Sequence, residues 1–214
     1  MTKHTETPED GQSSRRRPHF GYIAAGIGFL VLAIGVFVLA ETQARKTSTG
    51  FPAFTESQFS LIDQDGVSRT NADFAGTPLA VFFGFTYCPD VCPTTILSLA
   101  GAVDDLAADG IDASDLNILF IAVDHERDTP EQVKAYLSLF DVDVTGLTGD
   151  AAAIANALAA FGAYAQKVEI DGGDFTYDHS AAVYLYRADG RFKGTIVFHE
   201  PAEFIREKIK SLVS

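Results

Sequence analysis

Apolar and polar positions run along this chain in blocks of different period, and the blocks predict its elements. Residues 1–19 are polar, a mixture of Pro, Gln, Ser and charged side chains with little to bury, and the expectation there is a disordered tail. Phe20 to Ala40 carries no charge and is rich in Ile, Leu, Val, Phe, Ala and Gly. At ~1.5 Å per helical residue that run crosses the ~30 Å core of a bilayer. A cleaved signal usually has an apolar region of only ~7–15 residues, so the expectation is an uncleaved transmembrane anchor over 20–40, although Val38-Leu39-Ala40 would fit a cleavage site. Residues 41–50 read as a polar tether, and a folded domain is expected over 51–214.

Within that domain, Phe59–Ile62 and Val67–Thr70 flank Asp63-Gln64-Asp65-Gly66, a hairpin signal. Leu79–Phe85 is an apolar run of strand length, and Ile96–Leu106 is apolar at helical spacing, with Gly110 to stop it. Asn117–Val123 is a second near-continuous apolar strand, as a parallel sheet covered on both faces requires. Thr129-Pro130-Glu131-Gln132 supplies an N-cap, a first-position proline and a capping-box glutamine, and predicts a helix to about Phe140. Asp150 caps an alanine-rich helix from Ala151 to about Phe161. Ala163–Ile170 and Ala181–Tyr186 read as strands. Ala188-Asp189-Gly190 turns the chain into Phe192–Phe198, and Pro201 opens a closing helix to about Leu212. A β-α-β-α order followed by a hairpin and a helix predicts an α/β fold, a mixed sheet flanked by helices on both faces.

Charge places the domain. The formal net charge is −13, and Lys3, Arg15, Arg16 and Arg17 nearly cancel Glu6, Glu9 and Asp10, so the acidic excess lies beyond the tail. Such a surface repels nucleic acid, and no nucleic-acid partner is expected. Arg15-Arg16-Arg17 stands just before the apolar span, which by the positive-inside rule keeps the N-terminus in the cytoplasm. The expectation is a single pass through a bacterial inner membrane with the domain in the periplasm, an oxidising compartment.

The candidate chemistry sits in Gly84-Phe85-Thr86-Tyr87-Cys88-Pro89-Asp90-Val91-Cys92-Pro93-Thr94, between a strand and a helix, and it holds both cysteines of the chain. A helix starting at or after Pro93 avoids placing that proline inside a helical turn. Cys88 is then in a turn and Cys92 at the helix N-terminus, where the dipole and free N–H groups favour a thiolate. Such a pair can form a disulfide, hold a soft metal, or alternate between the two. Loops after parallel strands gather at one edge of the sheet. That edge receives the cysteine loop, the loop Asp124-His125-Glu126-Arg127-Asp128, the segment Tyr177-Asp178-His179-Ser180 and the neighbourhood of His199. Two thiolates and the imidazole of His179 suit Cu(I), or Cu(II) with one further ligand, and Asp178 is a candidate to orient the site. The plain alternatives are a structural disulfide and an ordinary strand-end histidine.

The cysteine loop resembles the copper-site loop of the Sco/SenC family of membrane-anchored, thioredoxin-fold proteins. The resemblance continues through Asp124–Glu131, Gly146-Leu147-Thr148-Gly149, and Asp178-His179-Ser180 followed by Val183-Tyr184-Leu185. It implies a thioredoxin-like fold and one copper per chain on Cys88, Cys92 and His179. The implied role is assembly of the dinuclear copper site of cytochrome c oxidase subunit II, by metal delivery, thiol reduction or both. An upstream periplasmic copper chaperone or a thioredoxin-like reductant would be the other partner. Where the family usually has Asp-Pro-Glu-Arg-Asp, this chain has His125 in place of the proline, and His125 is a candidate auxiliary ligand. The competing reading is a thiol–disulfide oxidoreductase using Cys88 and Cys92 as its redox pair. Against it, the cysteines have three intervening residues and no proline lies between Pro130 and Pro201. A peroxiredoxin-like peroxidase fits less well, because Pro89 stands where that motif has threonine, and a redox or copper sensor is a further alternative.

Overall fold

A computed structural model describes residues 51–214, together with Gly28, Leu30 and residues 32–37. The expected tail over 1–19, most of the expected anchor over 20–40 and the tether over 41–50 lie outside the described residues. Those described in the apolar span are helical, and Leu30, Leu32, Ile34, Val36 and Phe37 are all exposed.

The domain is built on a seven-stranded mixed sheet. Strands β1 (Ser60–Asp63) and β2 (Ser68–Thr70) form the expected hairpin. Strands β3 (Leu79–Gly84), β4 (Asn117–Ala122) and β5 (Val144–Thr148) run parallel to one another. Strands β8 (Val183–Tyr186) and β9 (Phe192–Ile196) close the sheet as a hairpin antiparallel to β3. The strand order is β2-β1-β5-β4-β3-β8-β9, and β6 (Ala165–Glu169) with β7 (Phe175–His179) forms a separate two-stranded ribbon. Helices α1 (Val91–Ala108), α2 (Pro130–Leu137), α3 (Ala151–Phe161) and α4 (Ala202–Val213) flank the sheet.

Every residue of β3 is buried, the signature of a strand covered on both faces. Its even positions, Ala80 and Phe82, pack with Ile96 and Leu99 of α1, Val133 of α2 and Ile205 and Ile209 of α4. Its odd positions, Val81 and Phe83, pack with Ile154 and Phe161 of α3 and with Phe54, Phe59 and Phe74 from the N-terminal segment. The two-residue period of the strand thus feeds two separate cores. This is the expected thioredoxin-like α/β arrangement. By length and composition α1 could cross a membrane. Here it buries Cys92, Ile96, Leu99, Ala102 and Leu106 in the domain and turns Asp104 and Asp105 to solvent, so it is a core helix.

Four features depart from the sequence reading. Helix α1 starts at Val91, before Pro93. Pro93 then occupies the third helical position, where the backbone N–H would have no intrahelical acceptor, so its missing donor costs nothing there. Helix α2 ends at Leu137, because Leu139 and Phe140 close back on Tyr136 and Leu137 by three-residue bonds. Strand β5 was not expected, since Val144-Thr145-Gly146-Leu147-Thr148 has a glycine at its centre and no clear period. That glycine is needed, because a Cβ on Gly146 would lie 2.3 Å from Val133 Cγ1. Strand β7 was also missed, and His179 ends it rather than leading into the next strand.

Candidate metal centre

The cysteine loop leaves the C-terminal end of β3, the edge to which the parallel strands deliver their loops. The Cys88 N–H donates to the carbonyl of Phe85 (3.1 Å), which closes a tight turn, and α1 begins three residues later. Both cysteines are free thiols and both are buried, Cys88 at 8% and Cys92 at 1% exposure. Gly84 makes the approach possible: a Cβ there would stand 2.6 Å from the Cys92 sulfur.

His179 arrives from the ribbon. In β7 the side chains of Phe175, Tyr177 and His179 share one face, and Asp178 takes the other. Tyr177 and His179 both pack against the Phe85 ring, with centroids 5.7 and 5.8 Å away. His179 Nδ1 lies 3.0 Å from the carbonyl oxygen of Ser180. With the proton on Nδ1 that contact is a hydrogen bond, and Nε2 is left as the ligand nitrogen. Ligand atoms of Cys88, Cys92 and His179 all lie within 4.8 Å of one another.

Electrostatics divides the two thiols. The Cys92 backbone N–H donates to Cys88 Sγ (3.4 Å). The Cys92 S–H above all, with the His179 ring and this N–H, draws the Cys88 thiol down to about 4, against the cost of its burial. Cys92 moves up, because its S–H donates a hydrogen bond to the Cys88 sulfur and it is itself buried. The depressed thiol is therefore Cys88, not the helix-end Cys92 that dipole reasoning favoured. The free N–H groups of the helix end point at the sulfur one turn earlier.

The remaining candidates fall elsewhere. His125 is exposed on the loop after β4 and is not one of the three clustered ligands. Asp178 is exposed on the far face of the ribbon, where its carboxylate accepts the Tyr164 hydroxyl (3.0 Å). The group that orients the imidazole is the Ser180 carbonyl. His199 has a left-handed backbone (φ 63°) and stacks on Phe198 at 3.8 Å, lining a cavity of about 200 Å³ beside α1.

Two buried acids were not singled out in the sequence. Asp128 accepts from the Thr86 hydroxyl (2.6 Å) and backbone N–H (3.1 Å), while its own carbonyl accepts the Thr148 hydroxyl (2.6 Å). It therefore ties the cysteine loop to the loop after β4 and to β5. Burial pushes its carboxyl up to about 6, although the Thr86 bonds pull the other way. Asp124 is buried too, accepts the backbone N–H groups of Glu126 and Arg127 (3.2 Å each), and pairs with the Arg127 guanidinium. The available signal was the pair of aspartates four residues apart in a loop directly after a buried strand.

Two buried sulfurs from one loop and a partly buried imidazole nitrogen from the ribbon are the donor set that a low-coordinate site for a soft or borderline ion requires. Comparison with known proteins agrees. The family model SCO1/SenC matches residues 47–214. The mitochondrial SCO2 homolog of Bos taurus is 34% identical over 191 residues, 88% of this chain and 71% of that protein. The mitochondrial SCO1 homolog 1 of Arabidopsis thaliana is 37% identical over 134 residues, 63% of this chain, and the matched stretch spans only 40% of that protein. Among solved structures, Bradyrhizobium japonicum ScoI with copper bound is 39% identical, with a TM-score of 0.64 over 72% of this chain and 97% of the other. BsSco, described as having a disulfide switch and as a member of the Sco family of cytochrome c oxidase assembly proteins, is 26% identical. Its TM-score is 0.56 over 73% of this chain and 91% of the other.

Proposed function

The chain belongs to the SCO1/SenC family, and from that membership we propose that it is a membrane-anchored periplasmic copper metallochaperone for cytochrome c oxidase subunit II. Its cargo is one copper ion on Cys88, Cys92 and His179. The observation that carries this reading is the convergence of those three ligand atoms within 4.8 Å, the histidine coming from a strand distant in sequence from the two cysteines. The copper-bound relative supports the choice of ion. Residues 1–19 are the cytoplasmic tail, 20–40 the anchor, 41–50 the tether and 51–214 the copper-binding domain. The exposed Leu, Ile, Val and Phe side chains on the described helical residues Leu30 and 32–37 support an apolar surrounding for that segment.

The residues divide the work. Cys88, already a thiolate near neutral pH, makes first contact with the ion. Cys92 gives up its proton only as the metal arrives, so loading releases a proton and copper affinity rises with pH. The Phe85 ring, itself packed on Tyr177, covers one side of the imidazole. Low coordination leaves the ion open to an incoming thiolate from the recipient, which lets copper pass by ligand exchange.

The test uses the full chain, reduced and loaded with Cu(I), mixed with a soluble subunit II domain whose copper-site cysteines are reduced. The expected result is appearance of the dinuclear copper spectrum once Cu(II) completes the pair, and its loss with Cys88→Ser or His179→Ala. Equal transfer by all three proteins contradicts the assignment.

One observation favours a second reading. A low-pKa outer sulfur beside a high-pKa inner one also suits thiol–disulfide exchange. The Cys88 thiolate would attack a disulfide of the recipient, releasing one thiolate. Cys92 would then displace the second, leaving Cys88–Cys92 oxidised and the recipient reduced by two electrons. Starting the same assay from oxidised subunit II without copper separates the two, because reduction that survives His179→Ala belongs to this second activity.

A further inference from the structure

Ribbon β6–β7 shares no ladder with the seven-stranded sheet. Ladder pairing therefore does not fix the ribbon against the sulfurs; the short link from His179 to β8 and the Phe85 ring hold its base, and side chains must hold its turn end. There the contacts converge on one residue. The Arg127 guanidinium stacks 3.8 Å from the Phe175 ring centroid on the ribbon and 4.8 Å from the Tyr87 ring in the cysteine loop. Its Nη1 reaches Asp174 of the ribbon turn (3.3 Å), and its Nε is held by the buried Asp124 of its own loop. Its Nη2 is buried without a hydrogen-bond partner among the described residues, so the group is spent on stacking rather than on a second fork. Lys167 adds a parallel tie, 2.6 Å from Glu126 and 3.6 Å over the same Phe175 ring.

We propose that Arg127 is a positioning residue for the metal centre: it clasps the ribbon to the cysteine loop and so sets how firmly His179 completes the site. This rests on the copper reading above. A planar guanidinium can lie against two rings while Nε stays on a carboxylate; an ammonium cannot. With the clasp open, the turn end of the ribbon loosens about a base that Ser180 and Tyr164 hold together (3.0 and 3.1 Å), and the imidazole beside that base loses part of its fixed orientation while both sulfurs stay. Copper is then held by Cys88 and Cys92 with a weakened third bond. Arg127 thereby separates two tasks, a sulfur pair that captures and a histidine that retains.

The test is a double-mutant cycle on the reduced full chain, reading Cu(I) affinity by chelator competition. Arg127→Lys keeps the charge and removes the stacking. It is expected to weaken retention about tenfold, equivalent to ~1.4 kcal/mol and within reach of a desolvated cation–π contact. In a His179→Ala background the same change is expected to do nothing further, because there is no imidazole left to place. Phe175→Leu, which removes the stack from the ribbon side, should behave alike. In the copper-free protein, amide exchange over residues 165–179 should quicken in both variants while β3 and β4 stay protected. Equal losses in the wild-type and His179→Ala backgrounds, or no loss and no change in exchange, overturn the clasp. If His179→Ala alone retains copper as tightly as wild type, the ligand assignment fails instead.

Discussion

Gly84→Ala is the sharpest perturbation of the site that substitutes none of the three ligand residues. Gly84 ends β3, and its pairing with Ala122 holds the strand against β4. A Cβ built there stands 2.6 Å from Cys92 Sγ and 2.7 Å from Phe120 Cε2. Ordinary contact begins at 3.4 Å, so the sulfur must retreat by about 0.8 Å (3.4 − 2.6) or rotate to another rotamer. Metal–ligand distances tolerate only about ±0.2 Å, so Cys92 leaves bonding position unless the whole loop follows. Overpacking costs about 1–3 kcal/mol, and a domain of this size loses about 2–4 °C in Tm per kcal/mol. The variant should thus melt roughly 2–12 °C lower yet remain folded at room temperature. Its Cu(I) affinity, read by chelator competition on reduced protein, should fall by at least about tenfold, the scale of ~1.4 kcal/mol. Adding Phe120→Leu relieves the second clash and should recover part of the Tm but not the affinity. A folded Gly84→Ala protein with wild-type affinity would refute the reasoning, since the sulfur would then not need the place this geometry gives it.

Three further expectations follow from other parts of the molecule. Asp128 keeps its proton in the fold up to about pH 6, whereas the unfolded carboxyl releases it near 3.8, so its contribution to stability declines as pH rises through that window. The decline is on the order of 3 kcal/mol, and Asp128→Asn should flatten that part of the Tm–pH profile; an unchanged slope contradicts it. Iodoacetamide should alkylate Cys88 at a rate nearly independent of pH above about 5, and Cys92→Ala should move the midpoint upward by removing the first of the groups that stabilise the thiolate. Identical profiles would show that Cys92 does not hold that charge. Gly146→Ala places a Cβ 2.3 Å from Val133 Cγ1 and 2.6 Å from Leu137 Cδ1, and should destabilise the domain by ~1–3 kcal/mol without changing copper affinity.

The elements that were legible share a strong local signal. The all-apolar Leu79–Gly84 and Asn117–Ala122, the Thr129-Pro130 cap and the Asp150 cap each state their own structure, and the N-cap bonds form as expected (Thr129 to Gln132, Asp150 to Ala153). Cys88 and Cys92 were legible because topology brings the ends of parallel strands to one edge; His179 ends the separate ribbon, and its place with them rested on the family resemblance. Strand β7 was missed because Phe175-Thr176-Tyr177-Asp178-His179 is half-exposed and mixes polar with aromatic residues. Yet Asp171-Gly172-Gly173-Asp174 before it is a hairpin turn whose glycines both adopt positive φ. Recognising that turn would have set the register and sent Asp178 to the face opposite His179. The roles of Arg127 and Asp128 were not legible, because they depend on which rings and hydroxyls a separate ribbon and loop bring to them. The choice of Cys88 over Cys92 as the thiolate needed the same kind of knowledge: it follows first from the Cys92 S–H donating to the Cys88 sulfur, with the His179 ring and the helix-end N–H groups adding to it, none of which helix position alone specifies.

The most direct measurement is X-ray absorption of the reduced full chain loaded with one Cu(I), compared with His179→Ala. The account predicts two sulfur scatterers and one nitrogen in the wild type, and two sulfurs without that nitrogen in the variant. A wild-type spectrum with sulfur alone, or a nitrogen shell that persists in His179→Ala, would contradict it.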